Sequence, residues 1–421
     1  MSIADCRLQI ADCHNLQSAI CNLQSTRWYH SAMTTPPRPE RIGTITVGGT
    51  PIPFAALPGL PELSGDEAMA LCARHVAPAA DERILLLGCG HGALGVALAR
   101  AAHLGRVTLC DPSLIALRAA RRTLELSQIA NAEVSEAISL LPERAGQLDR
   151  VVILGPQSRA LARRWLMESL ALLRPGGAIT LAGANRGGVQ SLIGDATALC
   201  GAAQILGVGK GCRVAELTRP ESPPAPPDWA AAPGVAPGSW HRFTAQLPAG
   251  ERELLSLPGV FSYEHLDEGT DLLLHSLPLP AGARVLDMGC GYGPIGVAAA
   301  AAGAAVVDMI DASLLAVAAA RANAERHGVH GEVLAGDGLA AVAGRQYDLI
   351  ISNPPFHAGG KVDTAAAEAL IAGGRALLAP GGRLALVANR FLSYQKAMAR
   401  HFPRVERVAE SKAYHVFVGH V

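Results

Sequence analysis

Short apolar runs alternate with alanine-rich stretches along most of this chain, and several of the runs break off at glycine or at an acid. Arg284-Val285-Leu286-Asp287-Met288 leads straight into Gly289-Cys290-Gly291-Tyr292-Gly293-Pro294-Ile295-Gly296 and then an alanine-rich segment. That order predicts a buried strand, a tight turn and a helix opening on glycine. The run 305–310 ends at Asp311, the run 332–335 ends at Gly336-Asp337-Gly338, and the run 347–352 ends at Asn353-Pro354-Pro355-Phe356. Apolar strands separated by helical segments predict an α/β unit with an open parallel sheet. In such sheets ligands bind at the carboxyl ends of the strands, so all four endings should face one crevice.

The same pattern occurs earlier in the chain. Arg83-Ile84-Leu85-Leu86-Leu87-Gly88-Cys89-Gly90-His91-Gly92 is a second strand and glycine loop, and the run 107–110 ends at Asp111. Leu173-Arg174-Pro175-Gly176-Gly177 matches Leu378-Ala379-Pro380-Gly381-Gly382. The offset stays near about 200 residues (Gly88 to Gly289, Asp111 to Asp311, Asp149 to Asp348), which predicts two homologous α/β domains in tandem. The copies differ where chemistry should sit. In the register set by Asp149 and Asp348, Leu154-Gly155-Pro156-Gln157 replaces Asn353-Pro354-Pro355-Phe356, and Leu86 replaces Asp287.

Each ending has a chemical reading. Glycines let a ligand approach the backbone, and the helix N-terminus offers free N–H groups. Asp311 is placed to accept from both hydroxyls of an adenosine ribose, and Asp337 to accept from an adenine amine. Two consecutive prolines donate no N–H, so the strand stops at Asn353. An amide, stiffly held carbonyls and an aromatic ring then share one strand end, a set that accepts from a planar –NH2 group and stacks on its ring. Gly291-x-Gly293-x-x-Gly296 also satisfies a dinucleotide fingerprint, but a nicotinamide reading leaves Asp287 and the prolines unexplained.

Net charge is zero, half of the 421 residues are hydrophobic and 17% are charged. Bulk charge therefore announces no nucleic-acid partner, and contact with RNA would need a local basic patch. Candidates are Arg118, Arg121, Arg122, Arg163 and Arg164 in the first copy, and Lys361, Arg390, Lys396, Arg400, Arg404, Arg407 and Lys412 in the second. No apolar run is long enough to span a bilayer. Nine cysteines form no CxxC pair and fourteen histidines show no ligand spacing, so no metal is expected and the cysteines should be reduced and mostly buried.

Residues 1–32 repeat Ile-Ala-Asp-Cys and Asn-Leu-Gln-Ser; they are expected to be a non-native extension ahead of a true start at Met33. Domains are then expected at 33–218 and 240–421, joined by a semi-extended proline-rich linker at 219–239.

The segment 259–274 (Gly-Val-Phe-Ser, then Leu-Asp-Glu-Gly-Thr-Asp-Leu-Leu-Leu), the Asn-Pro-Pro-Phe-His motif and the late Lys412-x-Tyr414 resemble the RsmC/RlmG family of bacterial rRNA guanine-N2 methyltransferases. The likeness is close from about Gly259 to the end and architectural before it. It implies two class I methyltransferase domains, each a mostly parallel seven-stranded sheet flanked by helices, the first degenerate and serving substrate recognition and stability. It implies S-adenosylmethionine (SAM) as methyl donor, bound by Asp287, Gly289, Gly291, Gly293, Asp311 and Asp337. Asn353, Pro354, Pro355 and Phe356 would hold a guanine amine of ribosomal RNA, with 16S favoured over 23S. The partner would be rRNA or a ribosomal subunit, the enzyme a cytoplasmic monomer. Two other readings stay open: methylation of another planar amine or amide (adenine N6, a release-factor glutamine), and a non-catalytic RNA-binding module.

Overall fold

The computed structural model describes residues 41–60, 67–141, 144–155, 158–354 and 364–421, the side chains of 364–367 excepted. The expected extension 1–32 and Pro355, Phe356, Pro156 and Gln157 lie outside the described residues.

Each copy opens on an antiparallel hairpin that the apolar pattern did not disclose. Strands β1 (Arg41–Val47) and β2 (Thr50–Ala56) form the first, β10 (His241–Leu247) and β11 (Gly250–Ser256) the second. After its hairpin the first copy runs α1 (Glu67–His75), β3 (Arg83–Leu87), α2 (Ala93–Ala101), β4 (Arg106–Cys110) and α3 (Leu114–Leu126). It continues with β5 (Ala132–Ser135), β6 (Leu148–Leu154), α4 (Arg159–Leu172), β7 (Leu173–Ala184), α5 (Val189–Cys200), β8 (Gln204–Gly209) and β9 (Cys212–Thr218). The second repeats the plan: α6 (Glu268–Ser276), β12 (Arg284–Met288), α7 (Pro294–Ala301), β13 (Val306–Asp311), α8 (Leu314–Arg326) and β14 (Val333–Ala335). Then come β15 (Tyr347–Ser352), α9 (Thr364–Leu377), β16 (Leu378–Asn389), α10 (Tyr394–Ala399), β17 (Arg404–Glu410) and β18 (Tyr414–His420).

Both sheets have seven strands, in the orders β5-β4-β3-β6-β7-β9-β8 and β14-β13-β12-β15-β16-β18-β17. Six strands of each sheet run parallel, and the sixth in each order, β9 or β18, is inserted antiparallel between its neighbours. Helices cover both faces, which is why the central strands are buried except near their amino ends and read as apolar runs.

A single side chain ties the second hairpin to its domain. The Asn323 amide, on α8, accepts from Leu255 N–H (2.8 Å) and donates to the carbonyls of Leu255 (2.8 Å) and Tyr292 (2.7 Å), all buried. In the first copy Thr123 does a smaller version of this, its hydroxyl accepting from Ala55 N–H (3.1 Å). Asn323→Ala strands three buried backbone groups. It should lower stability by about 3 kcal/mol, measured as a fall in urea midpoint at constant m-value.

The two copies meet through equivalent loops. Ser113 and Ser313 form an isolated antiparallel bridge. Leu114 N–H donates to Ala312 C=O and Leu314 N–H to Pro112 C=O, both at 2.8 Å. Gly259 lies between them at φ 99°; a Cβ there would stand 2.9 Å from Leu161 and 3.0 Å from Leu315, so only glycine fits.

The connecting segment differs from the extended linker expected. Residues 221–226 are exposed, but Asp228–Ala231 forms a 3-10 turn, and Ala230, Gly234 and Val235 are buried. Arg164 donates to the carbonyls of Gly234 (2.8 Å) and Ser239 (3.3 Å), and Arg163 stacks over Trp229 at 4.6 Å. The cause is Trp229: its ring gives the second half of the segment a surface to pack, which proline content alone does not reveal.

Candidate active site at the carboxyl edge of the second sheet

Strand order places the predicted residues side by side. Met288, the end of β12, pairs with Ile310 of β13 on one side and with Ser352 of β15 on the other. Ser352 Oγ donates to Met288 C=O at 2.6 Å, which holds the start of the glycine loop beside Asn353. Across the edge the order is thus Asp337, Asp311, the glycine loop, Asn353 and Pro354. Pro355 and Phe356 fall outside the described residues.

The loop is shaped by positive φ angles and by one carboxylate. Gly289 (φ 68°) and Gly291 (φ 56°) have nothing within 4 Å of where a Cβ would stand, so open space faces the backbone at both. Gly293 (φ 86°) and Gly296 instead press on Ala320 and Met309, making them packing glycines of the turn into α7. Asp311 accepts from Gly291 N–H at 2.9 Å and from Ser313 N–H at 2.8 Å, one on each oxygen. Burial raises its pKa, and those two donors oppose the rise. Asp337 is exposed at the bend after β14.

Asp287 is completely buried. Its Oδ2 accepts from Gly296 N–H at 3.2 Å, while Oδ1 is buried without a hydrogen-bond partner. Burial pushes its pKa up to about 8, against the pull of Gly296 N–H and with a small further push from Asp311. A buried, half-satisfied carboxylate behind an open glycine loop suits a ligand carrying positive charge, and the cationic, adenosine-bearing SAM has that chemistry.

Asn353 is half-buried, and its position in space shows something its place in the sequence did not. Its side-chain N–H2 donates to Asp267 Oδ2 (3.0 Å) and reaches Thr270 Oγ1 (2.8 Å). Asp267 also caps α6, accepting from Thr270 N–H at 3.0 Å. Gly269 packs tightly there: a Cβ would stand 3.0 Å from Asp267 Oδ2 and 3.1 Å from Tyr414, so a side chain would push one of them aside. The only sequence signal for these partners was the Asp-x-Gly-Thr spacing.

The chain matches the Methyltransferase small domain family over residues 62–204 and again over 251–418. It is 36% identical over 273 residues to the ribosomal RNA small subunit methyltransferase C of Pseudomonas aeruginosa, covering 65% of this chain and 79% of that one. To the protein of the same name from Hahella chejuensis it is 35% identical over 329 residues, covering 74% and 93%. The Thermus thermophilus 16S rRNA N2 G1207 methyltransferase (RsmC), solved in complex with AdoMet and guanosine, superposes with a TM-score of 0.73 at 28% identity, covering 90% of this chain and 98% of that one. The chain belongs to the ribosomal RNA small subunit methyltransferase C family.

In this family member the first copy keeps the loop and has lost the rest. Asp111 accepts from Gly90 N–H (3.0 Å) and Ser113 N–H (2.8 Å), repeating Asp311. Leu86 stands where Asp287 does, and Leu314 and Leu315 enter the space beyond Asp111 together with Trp165. With it they line a cavity of about 30 Å³ there.

The basic candidates also sort themselves. Arg163 pairs with Asp195, and Arg164 is buried against Glu168 and the connecting segment; both are structural. Arg121, Arg122, Arg400, Arg404 and Arg407 each pair with a glutamate. Arg118, Arg390, Lys396 and Lys412 are exposed and form no ion pair among the described residues. Lys361 lies outside them. Among the described residues no cluster of metal-binding side chains occurs, and no helix is long and apolar enough to cross a membrane.

Proposed function

We propose that this chain is a SAM-dependent methyltransferase of the N2 amine of a guanine in 16S ribosomal RNA. The observation that carries the reading is one strand edge holding an open glycine loop, a buried carboxylate and an amide with its N–H2 turned away. The named relatives act on small-subunit rRNA, and that fits an edge able to take both an adenosine cofactor and a planar amine.

In this reading Gly289 and Gly291 give the cofactor access to backbone, with Gly293 setting the turn. Asp287 offers negative charge from behind, Asp311 accepts from the ribose and Asp337 from the adenine amine. SAM supplies a methyl group already activated on a sulfonium. The chain's own work is positional and electrostatic. Asn353 Oδ1 and Pro354 C=O accept the two N–H bonds of the guanine amine and turn its nitrogen lone pair toward the donor. Pro355 stiffens the strand end, and Phe356 stacks on a base that has left its helical stack. No strong base is needed if the amine proton leaves after transfer.

The first copy serves recognition and stability, and the enzyme acts as a monomer in the cytoplasm. Arg118→Glu on its exposed face should raise the KM for small subunits severalfold and leave SAM affinity unchanged; an unchanged KM removes Arg118 from the RNA surface. The function itself is tested with labelled SAM offered to small subunits, large subunits, DNA and release factor. Label on a guanine N2 of 16S rRNA is expected. Label on adenine, on glutamine or only on 23S rRNA overturns the proposal.

A further inference from the structure

Asn353 can hold a guanine amine only if its carbonyl end faces the crevice. An amide rotates freely between two faces of similar shape, so something must choose. Asp267 makes that choice. A carboxylate only accepts, so the face turned toward it must be –NH2, and the 3.0 Å contact fixes which end that is. Thr270 Oγ1 takes the second contact at 2.8 Å from a buried position, so Oδ1 is left pointing the other way.

The first copy serves as an internal control. Helices α1 and α6 have the same length, nine residues each, which places Met69 at the position of Thr270. Sheet register places Leu154 at the position of Asn353. Where the chemistry has gone, the hydroxyl and the amide have become apolar together, and Leu154 packs on the cluster that contains Met69; an acid persists in the sequence at the position of Asp267, Asp66, so the comparison speaks for Thr270 alone. A hydroxyl kept only for folding would have no reason to disappear with the amide.

From this juxtaposition we propose that Asp267 and Thr270 are positioning residues: they lock the Asn353 amide with its oxygen toward the acceptor base and make that subsite accept hydrogen bonds only. The proposal rests on the reading of Asn353 given above, and it explains the Asp-x-Gly-Thr spacing as part of the methyl-acceptor site. It also carries a specificity. A base with an exocyclic amine is held, whereas one presenting a carbonyl at the same place meets two oxygens.

The test uses the full chain, small subunits lacking the methyl group, and SAM affinity by calorimetry as the control for folding. Thr270→Val, nearly isosteric, should lower kcat about tenfold with SAM affinity held, and Thr270→Ser should recover most of that loss. Asn353→Asp alone should cost more than about a hundredfold, because two carboxylates at this distance cannot both be ionised, and its residual rate should rise as pH falls. Asp267→Ser keeps a good cap for α6 but withdraws the oxygen that faces Asn353, and it should lower kcat about tenfold with SAM affinity held. The proposal is overturned if Thr270→Val is as active as Thr270→Ser, if either Thr270→Val or Asp267→Ser loses SAM binding, or if Asp267→Ser keeps full activity. Full activity in Asn353→Ala would instead remove the reading of Asn353 itself.

Discussion

Asn353→Ala is expected to lower methyl transfer by about 10²–10³ while SAM binds nearly as well as before. The amide lies across β12 from Asp311 and touches Asp267 and Thr270, not the glycine loop. Its loss therefore falls on the acceptor and on kcat. Alanine also leaves Asp267 capping α6, so melting should move little. Single-turnover rates at saturating SAM are the measurement, and a rate within a few-fold of the natural chain would mean that the amine is held elsewhere.

Asp287→Asn should separate stability from binding. An ordinary unfolded aspartate ionises near about 4, whereas in the folded chain burial holds Asp287 at about 8. The folded-state value is the higher one, so ionisation opposes folding. The carboxyl's contribution is full below about pH 4 and is lost as pH rises toward 8, on the order of 5 kcal/mol at most across that window. Asparagine carries no charge to bury. The ligand-free variant should melt above the natural chain at pH 8, with the gap closing toward pH 5. The same change removes the charge offered to the cofactor, and SAM affinity should fall by about a hundredfold. Near pH 7 the natural chain should release close to one proton on binding SAM, seen as a binding enthalpy that depends on the buffer's ionisation heat. Parallel melting profiles for the two proteins would show that Asp287 is not the group buried in its neutral form.

What the sequence disclosed, and what it hid, divides along physical lines. The runs at 83–87, 284–288 and 347–352 became central strands because burial on both faces leaves an apolar signature that needs no partner to be read. Asp311 and the glycines were legible because a strand, a turn and a helix N-terminus are contiguous in the chain. The hairpins were not. Thr-Pro-Ile-Pro-Phe at 50–54 and Gly-Glu-Arg-Glu-Leu at 250–254 mix charge or proline with few apolar positions, and the side chains that tie them to their domains, Thr123 and Asn323, lie far along the chain. Asp267 and Thr270 were hidden for the same reason. Their contact to Asn353 spans more than eighty residues, and nothing local to α6 names its target.

The paired hydrogen bonds between Leu114 and Ala312 and between Leu314 and Pro112 have the form of an isologous contact, each half giving the other what it receives. A symmetric dimer of a single-copy ancestor would be joined in this way. Once the halves share a chain, the tether fixes their mutual concentration and assembly no longer depends on how much protein is present. Selection can then act on the two halves separately. One half is free to lose its polar residues, as this one has with Leu86 and Leu154 where the other keeps Asp287 and Asn353, because the contact needs only the shape of the loop. The divergence between Asn353 and Leu154 is in that sense the product of a covalent dimer, in which the interface is shared and the chemistry is carried by one partner.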